Sequence, residues 1–500
     1  MNKFTWLFGE NEGKTMNNNS FYFWQHITSK SSEIESYFVV AKNSQNTLKI
    51  QKLSPELQKS VVFKNSKKHI QIYQKSDMFF VTLSYKDITP LPYFQLARRI
   101  KKPIIYLQHG TLGIKKISYT GKSYWNNMFR FLTYNPLIKE RMINEHGFKD
   151  YQIHFAAVHP RYKKLVELNK AEHEKKQIFW FITWREQLKS EMNQLVGQIL
   201  RIGNNADLRQ HLETKNKSLK ICLHPFFPKN IHKSIQAELI SERVKIAHAD
   251  QIEVIEEIAN SCSLITDYSS LGFDFTFLKK PVYIYQFDQE SYVQGRDVYC
   301  DVASEFANIN CKNPGDLITK ISAEESMLNS FFAERLPSTL DLEAVKKGVY
   351  IDQLYQTFSQ IQKSMVSIMI FNEDSREYGI RVARILLERG YLIEMLVLSG
   401  SWLESYPPGL NVSFIFKNHS VNPLDELKQM LFSKNKNFID EKVKQFFKTS
   451  KSKTVLLNAE EYYPIIHQAK SDQKRTQILC KRLSNEELYE LFPQILGGIG

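Results

Sequence analysis

Hydroxyl and carboxylate side chains follow a predicted strand in residues 261–288, which read SCSLITDYSSLGFDFTFLKKPVYIYQFD. The pattern predicts a strand ending at residues 264–265, a polar turn at 267–270, a helix over 271–278 and, after Pro281, a strand over 282–287. Backbone N–H groups and the positive end of the helix dipole meet at such a turn, and both favour a phosphate. The serines could instead serve only as helix caps, and the spacing alone favours capping.

A histidine follows another predicted strand. Residues 104–107 are apolar and run directly into Gln108, His109, Gly110 and Thr111. In open α/β sheets, ligands bind beyond the carboxyl ends of the strands. His109 is therefore a candidate general acid or base, and Gly110 lets a ligand approach the backbone. A structural histidine is the alternative, and it is the more frequent role for a histidine after a strand.

Two strands in the second half of the chain also end in polar residues. The apolar strand over residues 177–182 is followed by Thr183 and Arg185, and the strand over residues 219–223 is followed by His224. Several polar strand ends on two sheets, all with groups that suit a phosphate, predict two Rossmann-like domains. These domains should face each other across a cleft.

Alternating strands and helices predict a mainly parallel, doubly wound α/β fold. A chain of 500 residues exceeds one ordinary core, so we expect about two to four domains. A charged run at residues 170–176 separates a domain at residues 1–170 from a domain at residues 175–363. Residues 364–500 form an additional α/β half-domain, which lacks a G-x-G-x-x-G motif and so gives no support for a dinucleotide site.

The other predicted elements follow the same alternation. Further strands are predicted at residues 4–8, 37–41, 77–82, 153–158, 244–247, 365–371, 393–398, 412–416 and 454–457. Helices are predicted at residues 21–27, 93–100, 136–146, 250–261, 340–362 and 375–389. The helix over residues 250–261 is predicted to start with Asp250 as its N-cap and Glu253 three residues later.

Charge and cysteine content limit the partners and the compartment. The net charge of +14 favours a nucleic acid, a phosphorylated substrate or an anionic membrane surface. The basic residues are dispersed and we find no nucleic-acid-binding signature, so no nucleic-acid partner is expected. The five cysteines are scattered without C-x-x-C spacing, which is typical of a reducing compartment with neither disulfides nor a zinc site.

The sequence predicts no membrane-crossing segment. The N-terminus, MNKFTWLFGE, becomes polar too early for a signal peptide, and no apolar run approaches the ~20 residues that span a bilayer. We expect a peripheral protein on the cytoplasmic face of the cell membrane. Residues 119–134, with Lys122, Trp125 and Arg130, are either an interfacial patch on anionic lipid or a buried helix and strand.

The run LITDYSSLGFDFTFLKKPVYIYQFD resembles the signature of the CDP-glycerol glycerophosphotransferases, the teichoic-acid and capsule polymerases of Gram-positive bacteria. Other segments resemble the family in the same order, over roughly residues 4–360: WLFGE with NNNSFYFW, QHGTLGIKK, VHPRYKKL, FITWRE and CLHPFF. The family usually has Gly where His159 stands and Asn-Asp where Tyr162 and Lys163 stand. The tail from Met365 lies outside the resemblance, and its first helix and strand resemble the opening of a nucleotide-sugar glycosyltransferase.

The resemblance implies two Rossmann-like domains in the GT-B arrangement. It also implies transfer of glycerol phosphate from a CDP-glycerol donor to a hydroxyl of a lipid-linked polymer acceptor, with release of CMP. For that reaction we predict His109 as the base, with His224 and Asp274 as the other catalytic residues. The predicted donor-binding residues are Gly110, Thr111, Thr183, Arg185, Thr266, Asp267, Ser269 and Ser270, with Arg161 as a further candidate. No cofactor or metal is predicted.

Two alternatives remain open. One is a transferase of the same fold that uses CDP-ribitol or a nucleotide sugar, which the unusual HPRYKK segment and the tail favour. The other is a non-catalytic scaffold of cell-wall polymer assembly. The presence of His109, His224 and the Ser269–Ser270 pair argues against that scaffold.

Overall fold

The architecture was obtained as a computed structural model. It describes residues 3–91, 102–117, 128–169, 175–184, 192–224, 226–228, 230–249, 251–295, 298–306, 310–311, 313–323, 330–337, 340–370, 374–400, 406–417, 439, 441–443, 445–446, 454–457 and 476–479. Within these residues, the strands form three separate parallel sheets.

The first sheet has seven strands in the order β3-β2-β1-β4-β5-β6-β7. Their bounds are β1 Phe4–Gly9, β2 Ile34–Val40, β3 Val61–Phe63, β4 Met78–Val81, β5 Ile104–Tyr106, β6 Met128–Thr133 and β7 Ile153–Phe155. Trp6, Leu7 and Phe8 are all fully buried, so β1 is covered on both faces, as expected for a parallel sheet. The helices are Asn19–Lys30, Ser44–Gln51, Pro55–Ser60, Lys67–Lys75, Pro136–Asn144 and Arg161–Leu168.

The second sheet has six strands in the order β10-β9-β8-β11-β12-β13. Their bounds are β8 Gln177–Ile182, β9 Ser218–Leu223, β10 Val244–His248, β11 Ser261–Thr266, β12 Val282–Tyr285 and β13 Asn310–Cys311. The associated helices are Met192–Gly203, Ala206–Thr214, Ile231–Glu238, Val254–Asn260, Leu271–Phe277, Gln289–Gly295, Val302–Glu305, Pro314–Ser322, Ser330–Ala333, Leu342–Lys347 and Val349–Lys363.

The strand order of both sheets reverses direction once. In the first sheet the reversal lies between β1 and β4, and in the second it lies between β8 and β11. Ligands of open α/β sheets bind at such switch points, beyond the carboxyl ends of the strands. The topology therefore places a site after β1 and β4 in one sheet and after β8 and β11 in the other.

The third sheet has five strands in the order β16-β15-β14-β17-β18. Their bounds are β14 Val366–Ile370, β15 Ile393–Gly400, β16 Asn411–Lys417, β17 Thr454–Leu457 and β18 Thr476–Leu479, and the helix Asp374–Glu388 follows β14. Its buried residues, such as Ile368 and Leu386, belong to one continuous hydrophobic core with Trp6 and Phe358. The third sheet is therefore packed onto the first part of the chain rather than attached by a free linker.

The predicted α/β class is confirmed, and most strands lie within a few residues of their predicted positions. The structure corrects two helix predictions and contains strands that were not predicted. The helix predicted from Asp250 begins at Val254, and Asp250 itself lies outside the described residues. The helix predicted over residues 340–362 is two helices, because Gly348 adopts a left-handed φ of 80° between them. The strands Val61–Phe63 and Thr476–Leu479 were missed, the latter in the segment interpreted as a half-domain.

Other predictions concern residues only partly described. The helix predicted at residues 93–100 and the boundary run at 170–174 lie outside the described residues, so the domain limits stay predictions. All six residues of Met128–Thr133 are buried, including Arg130, so this part is a core strand rather than a lipid-facing patch. Lys122 and Trp125 are not described. Across the described ranges, no helix has both the length and the apolar composition needed to cross a membrane.

Candidate active site

A cleft of about 460 Å³ lies where the carboxyl ends of the first two sheets face each other. Nine of the predicted site residues line it: His109, Gly110, Thr111, Arg161, Thr183, His224, Ser269, Ser270 and Asp274. Lys115 and Lys116 also line it, so the walls carry several cationic groups. A cleft with this lining attracts anionic ligands. Arg185 lies outside the described residues.

The backbone at His109 is fixed by side chains from two other segments. Asn18 Nδ2 and Arg161 Nη1 each donate a hydrogen bond to the His109 carbonyl oxygen at 3.1 Å. The preceding Gln108 has a φ of 60°, and Asn19 Nδ2 donates to its carbonyl at 2.7 Å. This unusual backbone turn is therefore held in one geometry by surrounding donors.

The His109 side chain lines the cleft and is exposed there. Loss of hydration and, to a smaller extent, the positive charges of Arg161 and Lys115 together lower the pKa of His109 to about 4. The imidazole is therefore neutral at pH 7. A neutral imidazole can accept a proton from a hydroxyl group in the cleft.

Arg161 and Asp274 form an ion pair across the cleft floor. Arg161 Nη2 lies 2.6 Å from Asp274 Oδ1 and 2.8 Å from Oδ2, and the Asp274 side chain is completely buried. Arg161 is in the helix Arg161–Leu168 and Asp274 is in the helix Leu271–Phe277, so the pair joins the two sheets' domains. Both carboxylate oxygens accept from Arg161, whose guanidinium also donates to the His109 carbonyl, so the ion pair links Asp274 to the backbone at His109.

The two serines of the turn before the helix Leu271–Phe277 have different environments. Ser269 Oγ accepts a hydrogen bond from Leu271 N–H at 3.2 Å, which is a capping interaction. Ser270 makes no side-chain cap bond. Its Oγ faces Gly110, where an added Cβ would lie only 2.7 Å away. Both serines therefore line the cleft, and Ser269 also caps the helix.

Thr266 and Asp267 support this turn and do not line the cleft. Thr266 Oγ1 donates to the Phe181 carbonyl at 3.0 Å. The Asp267 carboxylate accepts from Thr183 N–H at 3.2 Å and from Tyr268 N–H at 2.6 Å. The bonds to Phe181 and from Thr183 cross the switch point between β8 and β11, so they link the two strand ends.

His224 and Thr111 are the remaining predicted residues that line the cleft, His224 from the second domain and Thr111 from the first. His224 Nδ1 accepts from Phe226 N–H at 3.3 Å, which places the proton of the neutral ring on Nε2. The Thr111 hydroxyl pairs with the Tyr134 hydroxyl and lies 3.5 Å from His159 Nε2. Thr111 therefore belongs to a buried polar network behind the cleft wall as well as to the wall itself.

Glu10 is a site-supporting residue that the sequence interpretation missed. It is completely buried after β1 and accepts from the backbone N–H groups of Asn17 at 2.6 Å, Asn18 at 3.1 Å and Phe21 at 3.2 Å. Burial raises the pKa of Glu10 to about 7, and these backbone bonds oppose the shift. Glu10 thus holds the segment whose Asn18 reaches His109. The sequence did contain a signal for this role, because Glu10 directly follows an apolar strand and polar groups at strand ends tend to lie at ligand sites.

Residues 1–335 match the family model described as CDP-glycerol:poly(glycerophosphate) glycerophosphotransferase. The chain belongs to this family. The minor teichoic acid biosynthesis protein GgaB of Bacillus subtilis (strain 168) is 25% identical over 343 residues, which are 63% of this chain and 35% of that protein. The teichoic acid ribitol-phosphate primase of Bacillus spizizenii (strain ATCC 23059 / NRRL B-14472 / W23) is 33% identical over 92 residues, 18% of this chain and 22% of the primase.

The matched segments therefore span about a third or less of the length of these curated relatives. A solved structure of the wall teichoic acid polymerase TagF superposes with a TM-score of 0.51 at 16% identity, covering 71% of this chain and 89% of that chain. This likeness shows that the chain has a GT-B-like fold, as the family resemblance of its sequence implied. The relatives that share this family with the chain carry names from teichoic acid synthesis.

Gly110→Ala is expected to reduce donor binding and turnover without unfolding the protein. Gly110 has no left-handed φ, so the effect comes from the new Cβ, which would displace the Ser270 hydroxyl from its position 2.7 Å away. We expect a loss of roughly tenfold or more in kcat/KM, since small displacements in a site are costly. Gly197→Ala is the matched control, because nothing lies within 4 Å of its Cβ. Wild-type kinetics in Gly110→Ala would contradict the role of this contact.

Proposed function

We propose that the protein transfers glycerol phosphate from CDP-glycerol to a terminal hydroxyl of a lipid-linked teichoic acid or capsule polymer. One observation carries this proposal: Gly110, which follows His109, lies close to Ser270 on the opposite side of a cleft with cationic walls. A base on one wall and phosphate-binding groups on the other are the arrangement that phosphoryl transfer from a diphosphate requires. Membership of the glycerophosphotransferase family supports the same donor class.

In the proposed reaction, the acceptor hydroxyl oxygen attacks the phosphorus atom that carries glycerol. The bond between that phosphorus and the bridging oxygen breaks, and CMP leaves with the electron pair. The neutral His109 imidazole takes the proton of the hydroxyl, which is consistent with its lowered pKa in the ligand-free cleft. The acceptor therefore enters on the His109 side of the cleft.

The donor diphosphate is proposed to lie against the Ser269–Ser270 turn, where the N–H groups at the start of the helix Leu271–Phe277 add positive potential. His224 Nε2–H is proposed as a hydrogen-bond donor to the same phosphates, with Arg185 adding charge. Charge-assisted hydrogen bonds of this kind stabilise the negative charge on the leaving phosphate. Thr183, at the end of β8, completes the donor wall.

The decisive assay uses the full chain, because the third sheet shares a core with the first. Purified protein is incubated with CDP-glycerol and a lipid-linked primer, and the release of CMP is measured. We expect CMP release that depends on the primer. Absence of release with several primers, together with unchanged behaviour of a His109→Ala variant, would refute the proposal and favour a non-catalytic scaffold.

CDP-ribitol is a second candidate donor, and the 33% identity with a ribitol-phosphate primase over 92 residues favours testing it. The same assay with CDP-glycerol, CDP-ribitol and a nucleotide sugar in parallel separates the candidates. Higher kcat/KM with CDP-ribitol would replace CDP-glycerol as the proposed donor, while the roles of the two cleft walls would remain the same.

We also propose that the protein associates peripherally with anionic membranes, because its net charge is +14 and its proposed acceptor is lipid-linked. Sedimentation with vesicles should show binding to anionic vesicles at low salt, and the bound fraction should fall as salt screens the charges. Equal binding to neutral and anionic vesicles at low salt would contradict this expectation.

A further inference from the structure

Beside the cleft, one short segment of each of the first two domains packs against the other domain. Residues 110–117 follow His109 in the first domain, yet Ile114 is buried among the core side chains of the second. Tyr299 belongs to the second domain by sequence, yet its ring packs against the core of the first. Ile114 is thus part of the core around the second sheet, and Tyr299 packs against the core of the first.

Backbone and hydroxyl hydrogen bonds join the two segments directly. Tyr299 N–H donates to the Ile114 carbonyl at 2.8 Å, and Lys115 and Val298 form an antiparallel bridge. Ile117 N–H donates to the Tyr299 hydroxyl oxygen at 3.2 Å. Residues 110–117 are therefore hydrogen-bonded to residues 298–299 both at Ile114–Lys115 and at Ile117.

The first domain holds Tyr299 from the other side. The Arg141 guanidinium lies 4.5 Å from the centre of the Tyr299 ring, and Arg141 Nη2 donates to the Tyr299 carbonyl at 3.2 Å. The Tyr299 hydroxyl is 2.8 Å from His146 Nε2. Because its oxygen accepts from Ile117, the hydroxyl has its own proton available for the histidine.

We infer that Tyr299 is a positioning residue for the catalytic base: its hydroxyl fixes the end of residues 110–117 and so holds His109 at one distance from the donor wall. The role rests on the proposed phosphotransfer function. It is distinct from direct contact with a substrate, since Tyr299 bonds to protein groups and does not line the cleft. Loosening this segment should reduce the chemical step more than donor binding, because most of the proposed donor wall lies outside residues 110–117: the Ser269–Ser270 turn, Thr183 and His224.

The test is the substitution Tyr299→Phe, which keeps the ring against Arg141 and removes only the hydroxyl. We expect kcat to fall roughly tenfold, while KM for the donor changes by less than about threefold. Hydrogen–deuterium exchange should become faster in the peptide covering residues 110–117. Tyr355→Phe is the matched control, since the Tyr355 hydroxyl donates to Ser31 Oγ at 2.8 Å away from the cleft.

The exchange measurement keeps this role separable from the proposed function. If wild-type protein transfers nothing from any donor, the proposed function fails, while faster exchange confined to residues 110–117 still supports the anchoring role of Tyr299. Unchanged exchange in that peptide overturns the role. So does faster exchange of equal size throughout the chain, because the hydroxyl would then contribute only to general stability.

Discussion

Replacing His109 with glutamine is expected to lower the rate of CMP release by about 10²- to 10⁴-fold, the usual contribution of a general base. Glutamine has a similar size and can still make hydrogen bonds, so donor binding should change little. His154→Gln is the matched control: burial also lowers the pKa of His154 to about 4, but its side chain does not line the cleft. Comparable losses in both variants would contradict a catalytic role for His109.

The pH profile offers an independent check on His109. The base must be neutral, and its pKa of about 4 means that activity is lost only as the pH falls through that value. The kcat/KM of wild-type protein should stay flat from about pH 8 to about pH 5, where an ordinary histidine of pKa ~6.5 would already cost about 30-fold. A falling limb near pH 6.5 in kcat/KM would contradict the prediction.

Stability must be followed in the same experiment. The folded pKa of His109 lies below its unfolded value, so unfolded chains take up a proton before folded ones as the pH falls from ~6.5 to about 4. This contribution to stability is fully present above ~6.5 and decreases toward acid. Circular dichroism at each pH therefore distinguishes loss of fold from loss of the base. The negative charge of a bound diphosphate beside the His109 ring should raise the pKa of His109. The acidic limb of the kcat profile should therefore lie at higher pH than that of kcat/KM.

Asp274→Ala is expected to destabilise the protein by about 3–5 kcal/mol and to abolish most transfer. The substitution leaves the Arg161 cation largely buried without its partner, and breaking a buried pair has a cost of this order. Arg161 would also lose the contact that aims Nη1 at the His109 carbonyl. Urea unfolding gives the change in the free energy of unfolding, and the CMP assay gives the change in rate.

A surface pair provides the control. The side chains of Lys75 and Glu35 are 48% and 40% exposed, so Glu35→Gln should change stability by less than about 1 kcal/mol. The double variant Arg161→Met with Asp274→Leu replaces both charges by apolar groups and should regain most of the lost stability. Its transfer rate should remain low, because the His109 carbonyl has lost one of its donors. Recovery of both stability and transfer would show that the pair has only a structural role.

Much of the first two sheets was predictable because strand periodicity and strand ends are local properties of the chain. The strand Gln177–Ile182 has the predicted bounds, and His109, His224 and Ser270 lie at the predicted strand ends and line one cleft. The start of the helix at Val254 was less predictable, since its N-cap residue Glu253 makes no side-chain cap bond and so leaves no capping signature in the sequence.

Pairings between distant residues were decided by the tertiary structure. Sequence spacing placed Asp274 one turn after Ser270, but its partner is Arg161, 113 positions earlier in the chain. The support of Asn18 and Glu10 for the His109 segment likewise depends on how the strands are ordered in the sheet. Such contacts leave no period in the sequence, because they arise only when separate elements pack together.

The sequence by itself determined the α/β class, the polar ends of the strands and the resemblance to a phosphotransferase family. The tertiary structure decided which polar residues face the cleft and which only support it: Ser270 faces Gly110, whereas Thr266 and Asp267 bond to neighbouring backbone. The physical reason is that a residue's type and position are local properties. The direction of a side chain and its partner depend on the packing of two domains against each other.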